Sequence, residues 1–104
     1  MNNGSLLINR NEPTSLAEIK DGNYKVIRVE LSGSGNINHL ELSFYTKDKK
    51  ESEPHVLKKT LSQTNNVLYP QPEFKITTKF DFCKIEKIEG EINAADELRL
   101  IFER

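Results

Sequence analysis

The chain has 104 residues, which is enough for one domain with its own core and too few for two. Fifteen basic residues against sixteen acidic ones leave a formal charge of −1, so the chain lacks the basic excess typical of proteins that bind duplex nucleic acid. No apolar run approaches the roughly 20 residues that cross a bilayer, and the first residues lack the pattern of a secretory signal. We therefore expect a single β domain over residues 1–104, with no membrane span.

Cys83 is the only cysteine in the sequence. A disulfide within the chain is therefore excluded, and so are zinc sites built on paired cysteines. An unpaired thiol favours the cytoplasm or another reducing compartment, and a mature secreted chain is the alternative. We expect this thiol to be a small buried apolar group rather than a nucleophile, because it lies between phenylalanine and lysine near a strand end.

The first predicted elements are short. An apolar run at residues 6–8 predicts a brief first strand. A helical turn is predicted near residues 15–21, because a serine and a glutamate there have the spacing of a capping box. A helix of this length is not stable alone. We therefore expect Leu16 and Ile19 to close one end of a β core.

Two strands of alternating polarity are predicted on either side of a glycine-rich connection. Residues 24–32 place apolar side chains on one face, and residues 39–47 alternate in the same way. The first apolar face holds Ile27, Val29 and Leu31. The connecting residues 33–36 include two glycines, which favour a tight reversal. This pattern predicts a β-hairpin.

Alternation returns at residues 73–82, which predicts a further long strand. Between residues 82 and 92 the apolar spacing changes phase, since Cys83 and Ile85 fit one phase and Ile88 fits the other. A β-bulge produces such a one-residue slip. A helix is the rival interpretation, but a glycine and several β-branched residues in this segment favour the bulged strand.

A weaker strand is predicted at residues 56–61 and a brief extended piece at residues 67–69. With a last strand at Glu97–Glu103 the total is seven or eight short strands, with one helical turn near residues 15–21. Short alternating strands that recur about every ten residues are typical of antiparallel sandwiches and barrels. The sequence therefore predicts an all-β fold, an antiparallel β-sandwich of jelly-roll or immunoglobulin-like shape. An OB-type barrel is the alternative, and it would require several of these strands to merge.

Few side chains in this sequence carry the chemistry of catalysis or of metal binding. Alternation places His39 on a solvent face, and His55 follows a proline beside a charged segment. His39 and Glu41 share a strand face, but two ligands from one exposed strand rarely hold a metal ion. We predict no catalytic residue, no metal ligand and no cofactor, and therefore no enzyme.

Two binding functions remain as alternatives. A basic stripe formed by Lys75, Lys79, Lys84 and Lys87 could serve a single-stranded nucleic-acid-binding OB-like domain. The nearby phenylalanines alternate away from these lysines, so nucleic acid is not the expected partner. A carbohydrate-binding sandwich would stack sugars on exposed rings, but the chain has no tryptophan and only three tyrosines.

We expect a non-catalytic protein-binding or assembly module that uses a sheet edge or loops. Its partner would be another protein or a second copy of the chain. The candidate partner-binding residues are those that place apolar surface where the pattern does not bury it, since aromatic residues are enriched at interfaces. These residues are Tyr45, Tyr69 and Ile101.

Overall fold

The computed structural model describes residues 3–19, 23–48, 54–59, 66–77 and 80–103. Within these residues the chain is all-β, with nine strands, a 3-10 turn and no α-helix. The strands are β1 (Asn3–Ile8), β2 (Thr14–Ser15), β3 (Tyr24–Ser32), β4 (Asn36–Tyr45), β5 (His55–Lys58), β6 (Val67–Pro70), β7 (Lys75–Ile76), β8 (Phe82–Glu91) and β9 (Glu97–Glu103). The 3-10 turn, Ala17–Ile19, lies within the range predicted for a helical turn, whereas Ser15 belongs to β2 and residues 20–21 lie outside the described residues. In this part of the chain no helix is long and apolar enough to span a membrane.

All strand pairs are antiparallel and follow the order β1-β9-β3-β6-β5-β4-β8-β2, with β7 added beside β3. The two ends of this path, β1 and β2, follow each other in the sequence. The backbone N–H of Asn9 donates to Thr14 Oγ1 at 2.8 Å between them. The sheet is therefore nearly closed into a barrel. β2 and β7 are each two residues long, which is too short for alternation to reveal them in the sequence.

Three connections carry the chain from one half of the sheet to the other. They join β1 to β2, β3 to β4 and β8 to β9, so the half formed by β1, β9 and β3 is linked strand by strand to the half formed by β2, β8 and β4. The connections are residues 9–13, 33–35 and 92–96. The predicted hairpin between β3 and β4 is therefore wrong. Each of the two strands finds its neighbours in a different half.

The interior between the halves is one apolar core to which almost every strand contributes. Its fully buried members include Val26, Val29, Ile37, Leu40, Leu42, Phe44, Leu57, Leu68, Leu98 and Leu100. Leu16 and Ile19, beside and within the 3-10 turn, are buried in the same core. Their predicted burial is therefore confirmed. Burial of each such side chain contributes about 1.5–3 kcal/mol to stability.

Three β-bulges set which side chains face the core, and one of them skips Asn38 in the pairing of β4 with β8. In β8 the pairing with β4 skips Glu86, which brings Ile85 and Ile88 to the same face, and this confirms the bulged strand over the helix. In β3 the pairing with β9 skips Ile27. Tyr24 and Val26 therefore point into the core together with the later residues of the strand, while Ile27 is only half-buried. The predicted inward position of Ile27 is wrong because alternation cannot show where a strand is bulged.

The long strand predicted at residues 73–82 is also wrong. β7 covers only Lys75–Ile76 and pairs with β3, whereas β8 begins at Phe82 and pairs with β4. Between them the chain changes halves, and the backbone N–H of Asp81 donates to the carbonyl of Tyr45 at 3.0 Å. Phe74 and Ile76 still enter the core, whereas Phe82, which the same alternation predicted to point inward, stacks on the outward-facing Tyr45.

Candidate functional site at the free edge of β1

The three residues predicted to bind a partner lie on three different strands. Tyr45 faces outward on β4 and stacks on Phe82 of β8, with ring centroids 5.5 Å apart. Ile101 faces outward on β9 between Ser5 of β1 and a residue of β3. Tyr69 lies on β6 and lines a groove of about 260 Å³. All three are half-buried, and none of the ring contacts or hydrogen bonds described here joins one to another. Their role in binding stays a prediction.

The titratable side chains singled out in the sequence each occupy an ordinary packed position. His39 Nε2 lies 2.8 Å from Glu41 Oε2, so these two groups pair with each other. His55 turns toward the inside of the sheet and stacks on Phe74, with centroids 4.0 Å apart. Cys83 is 1% exposed, and desolvation raises the pKa of its thiol to about 12. Among the described residues no three His, Cys, Asp or Glu side chains are grouped as metal ligands would be.

The basic stripe considered for nucleic acid is divided between the two halves of the sheet. Lys75 lies on β7 beside β3, whereas Lys84 and Lys87 lie on β8. Lys87 Nζ also lies 3.3 Å from Glu89 Oε1. Lys79 falls outside the described residues. The lysines that the structure describes therefore do not line one continuous groove.

The sheet instead presents a free edge along β1. All six residues of β1 pair with β9, and within the described chain no other strand pairs with β1. Alternate residues of an edge strand turn their N–H and C=O groups away from the neighbouring strand, toward solvent. The other end of the sheet, β2, is only Thr14–Ser15 and directly follows Pro13. Two residues offer too few backbone groups for another chain to pair with β2, whereas β1 offers six residues.

β1 also lacks the features that normally prevent pairing with another chain. Its sequence, Asn-Gly-Ser-Leu-Leu-Ile, contains no charged residue and no proline, although 30% of the chain is charged. Natural edge strands are commonly protected by lysine, proline or a bulge. The pairing of β1 with β9 runs through all six residues without a bulge. This edge is therefore regular and uncharged, and no strand among the described residues pairs with it.

The outward face of β1 adds apolar surface to this edge. Leu6 and Ile8 point into the core, while Ser5 and Leu7 point out. Leu7 is 44% exposed and is the exposed large apolar side chain in the described part of the protein. An exposed leucine alone is common on protein surfaces. Beside unpaired backbone groups, it gives an added strand an apolar neighbour.

A shallow cavity of about 430 Å³ runs beside this edge, between β1 and the segment that contains β2 and the 3-10 turn. Its lining comprises Ser5, Leu6, Leu7, Ser15, Ala17, Glu18 and Arg99. The core beneath is already closed, since Leu16 is 1% exposed. An added strand would therefore extend the sheet and would not be needed to complete the fold.

Sequence reasoning placed the first strand at residues 6–8 and did not identify its edge as the site. The available signal was that the first nine residues of the sequence carry no charged side chain, in a chain that is otherwise rich in charge. What the sequence could not show is that β1 lies at the end of the sheet. Comparison with known protein families, curated proteins and solved structures found nothing that matches this chain.

Proposed function

We propose that this chain is a non-catalytic protein-binding module that adds an extended segment of another polypeptide as a strand along the free edge of β1. The observation that carries the proposal is the six-residue, uncharged, unbulged edge with the exposed Leu7 beside it. In strand addition, main-chain hydrogen bonds supply affinity, and alternate side chains supply specificity. At β1, the backbone groups along its edge could form the main-chain hydrogen bonds, and Ser5 and Leu7 are the outward neighbours of the added side chains.

The surroundings of β1 define the chemistry of the segment that would fit. Its inward side chains would lie over the edge of a closed core, so they would be small or apolar. Its outward side chains would meet Ser5 and Leu7, which favours an apolar residue opposite Leu7. Glu18 and Arg99 line the cavity beside the edge, so a charge of either sign finds an opposite partner at the rim.

We also propose that the nearly closed sheet is organised as the predicted sandwich, with β1-β9-β3 facing β2-β8-β4. The three connections that join facing strands support this arrangement. An OB-type barrel with a nucleic-acid groove is the alternative, and the divided lysines do not favour it. The buried, unpaired thiol of Cys83 supports a reducing compartment.

The proposal is tested with linear peptides selected from a random library against the wild-type protein. The affinity of the best peptide is measured by calorimetry for wild type, Ser5→Lys, Leu7→Lys and Ser32→Lys. We expect the two β1 variants to weaken binding at least about tenfold, because a lysine on an edge strand opposes pairing. Ser32 is exposed at the end of β3, away from this edge, so Ser32→Lys should bind like wild type.

Amide chemical-shift mapping of the same complexes locates the peptide. Strand addition predicts the largest shifts in β1, at residues 4–8, and circular dichroism should show that all variants remain folded. A peptide that binds Leu7→Lys as tightly as wild type, or that shifts amides mainly outside β1, would contradict the proposal.

A further inference from the structure

We infer that the polypeptide which occupies the free edge is a second copy of this chain, paired β1 against β1 across a two-fold axis. This inference rests on the proposed function and names its partner. It would join two sheets into one continuous sheet in the order β3-β9-β1-β1-β9-β3. Two-fold contacts use the same surface patch on both copies, and β1 meets the requirements for such a patch.

The first requirement is compatibility of charge. When a strand pairs with its own copy in antiparallel orientation, identical residues lie opposite or close to each other, and like charges there are destabilising. β1 carries no charge at all. Its flanks carry both signs, since Glu18 and Arg99 line the same cavity, so the rims of two copies do not present a single repelling charge.

The second requirement is agreement of the faces. Leu6 and Ile8 point into the core of each copy, and a continuous sheet must keep them on the core side. In antiparallel pairing, residues that lie directly opposite each other point to the same face of the sheet. Core-facing residues therefore lie opposite core-facing residues only when the two-fold axis passes through a residue. An axis between two residues would place each core-facing residue opposite an outward-facing one. The centres that bring Leu7 into the contact are Ser5, Leu6 and Leu7, whereas a centre on Gly4 pairs only residues 3–5 and leaves Leu7 outside it.

The surroundings of Leu7 favour the register centred on Leu6. In that register residues 4–8 of one copy lie opposite residues 8–4 of the other, and Leu7 lies opposite Ser5. Ser5 in turn pairs with Ile101 of β9 within its own copy. Leu7 therefore faces a small side chain with the half-buried Ile101 behind it, and two such apolar contacts form around the axis.

The other two registers are less favourable for Leu7. Centred on Ser5, the pairing would place Leu7 opposite Asn3, whose neighbour on β9 is Glu103. Centred on Leu7, it would leave only residues 6–8 in contact within β1. The geometry thus assigns an axis at Leu6 and gives Ile101, already a candidate from the sequence, a role in the contact.

Cross-linking of single-cysteine variants tests both the dimer and its register. Cys83 is buried and its thiol stays protonated, so the native cysteine does not interfere. Ser5→Cys and Leu7→Cys are oxidised separately and as an equal mixture. The axis at Leu6 predicts that the mixture forms the Ser5→Cys/Leu7→Cys disulfide several-fold faster than either variant cross-links alone, because directly opposite Cβ atoms are close enough for a bond.

Sedimentation velocity over a range of concentrations gives an independent measurement. We expect wild type and Ser32→Lys to shift toward twice the chain mass as concentration rises, and Leu7→Lys to remain at the mass of one chain. Fast cross-linking of Ser5→Cys or Leu7→Cys alone would overturn the assigned register. A wild type that stays at the mass of one chain and does not cross-link would overturn the inference, while peptide binding that depends on Leu7 would still support the proposed function.

Discussion

At the scale of single residues, Asp96 and Arg10 together join the three connections that cross between the halves. Its Oδ1 accepts a hydrogen bond from the backbone N–H of Ser34 at 3.0 Å. Its Oδ2 accepts from Gly35 and from Asn93, both at 2.9 Å. The Arg10 guanidinium donates to the carbonyls of Asn93 and Ala94, which links the first connection to the third. One carboxylate thus holds together segments that are far apart in the sequence.

Two glycines make this approach possible. Gly33 has φ of +129°, a conformation that other residues rarely adopt, and a Cβ at this position would collide with Asp96 Oδ1. A Cβ at Gly35 would lie 2.5 Å from Asp96 Oδ2. The sequence predicted these glycines as the turn of a hairpin. Their role in admitting a carboxylate could not be predicted, because Asp96 is about sixty residues away in the chain.

The pKa of Asp96 leads to a prediction about acid stability. The hydrogen bond from the Asn93 N–H, with those from Ser34 and Gly35 and the charge of Arg10, lowers this pKa from 3.8 against the opposing effect of desolvation. A carboxylate with a lowered folded-state pKa stabilises the protein above its unfolded-state pKa, and this contribution is lost as pH falls through the folded value. We expect Asp96→Asn to unfold several degrees below wild type at pH 7, with the difference shrinking below about pH 3.8.

Thermal unfolding of both proteins between pH 7 and pH 2.5 measures this difference. Glu97→Gln is the matched control, because Glu97 is the exposed neighbour of Asp96 and its contact with Arg99 is long, at 3.5 Å. Its midpoint should stay close to that of wild type. A difference between Asp96→Asn and wild type that does not change with pH would contradict the assignment.

At the scale of elements, β8 shows how one extra residue resolves a conflict in the sequence pattern. Glu86 is the bulged residue, and its Oε1 accepts a hydrogen bond from the Ser43 hydroxyl at 2.6 Å. Without Glu86, the chain from Ile85 to Ile88 would alternate regularly against β4. Glu86 is therefore the extra residue, and the bulge accommodates it while Ile85 and Ile88 keep the same face.

Two single-residue deletions in β8 should have opposite outcomes. Deleting Glu86 keeps Ile85 and Ile88 on the core face, so we expect the fold to survive with a loss of about 1–2 kcal/mol for the hydrogen bond to Ser43. Deleting Lys84 shifts Ile85 to the outside and brings Glu86 toward the core. We expect that variant to lose at least about 3 kcal/mol or to fail to fold.

Urea unfolding followed by circular dichroism measures both free energies of unfolding. The Lys84 deletion is the matched comparison, since it removes one residue from the same strand only two positions away. Equal stability of the two deletion variants would contradict the bulge at Glu86.

The elements also show how far the sequence could predict the fold. The all-β class, the 3-10 turn, the change of phase in β8 and the inward faces of β4 and β9 followed from local spacing. The choice of neighbours did not, because alternation describes the faces of a strand and says nothing about which strand lies beside it. The predicted hairpin at residues 33–36 and the predicted strand at residues 73–82 were wrong for this reason. Both span points where the chain changes halves.

At the scale of the whole molecule, one core serves both halves, so we expect residues 1–104 to unfold as a single cooperative unit. Tyr24 reports on the interior, because its ring is buried and packs edge-on against Phe102 with centroids 4.7 Å apart. In a Tyr45→Phe, Tyr69→Phe variant it is the only tyrosine, and the chain has no tryptophan. Its fluorescence and the far-ultraviolet circular dichroism should change at the same urea concentration. Separate transitions would show that the halves unfold independently.

The candidate site also depends on the arrangement of the whole sheet. Ser5, Leu7 and Ile101 form a possible contact only because β1 is the end of the sheet and β9 lies beside it. The sequence identified Ile101 as an apolar residue on an outward face, but neither its neighbour nor the free edge could be inferred from spacing. Position within the sheet, more than residue type, makes this surface suitable for binding.

The position of β9 has a consequence for how the protein is made. β9 lies between β1 and β3 and inserts the fully buried Leu98 and Leu100 into the core. During translation, β1 and β3 leave the ribosome long before their common neighbour has been synthesised. Pairings between distant segments form slowly, and apolar strands that await a partner are prone to aggregate. Until β9 emerges, the uncharged first strand of the nascent chain therefore lacks the neighbour with which it pairs along its whole length.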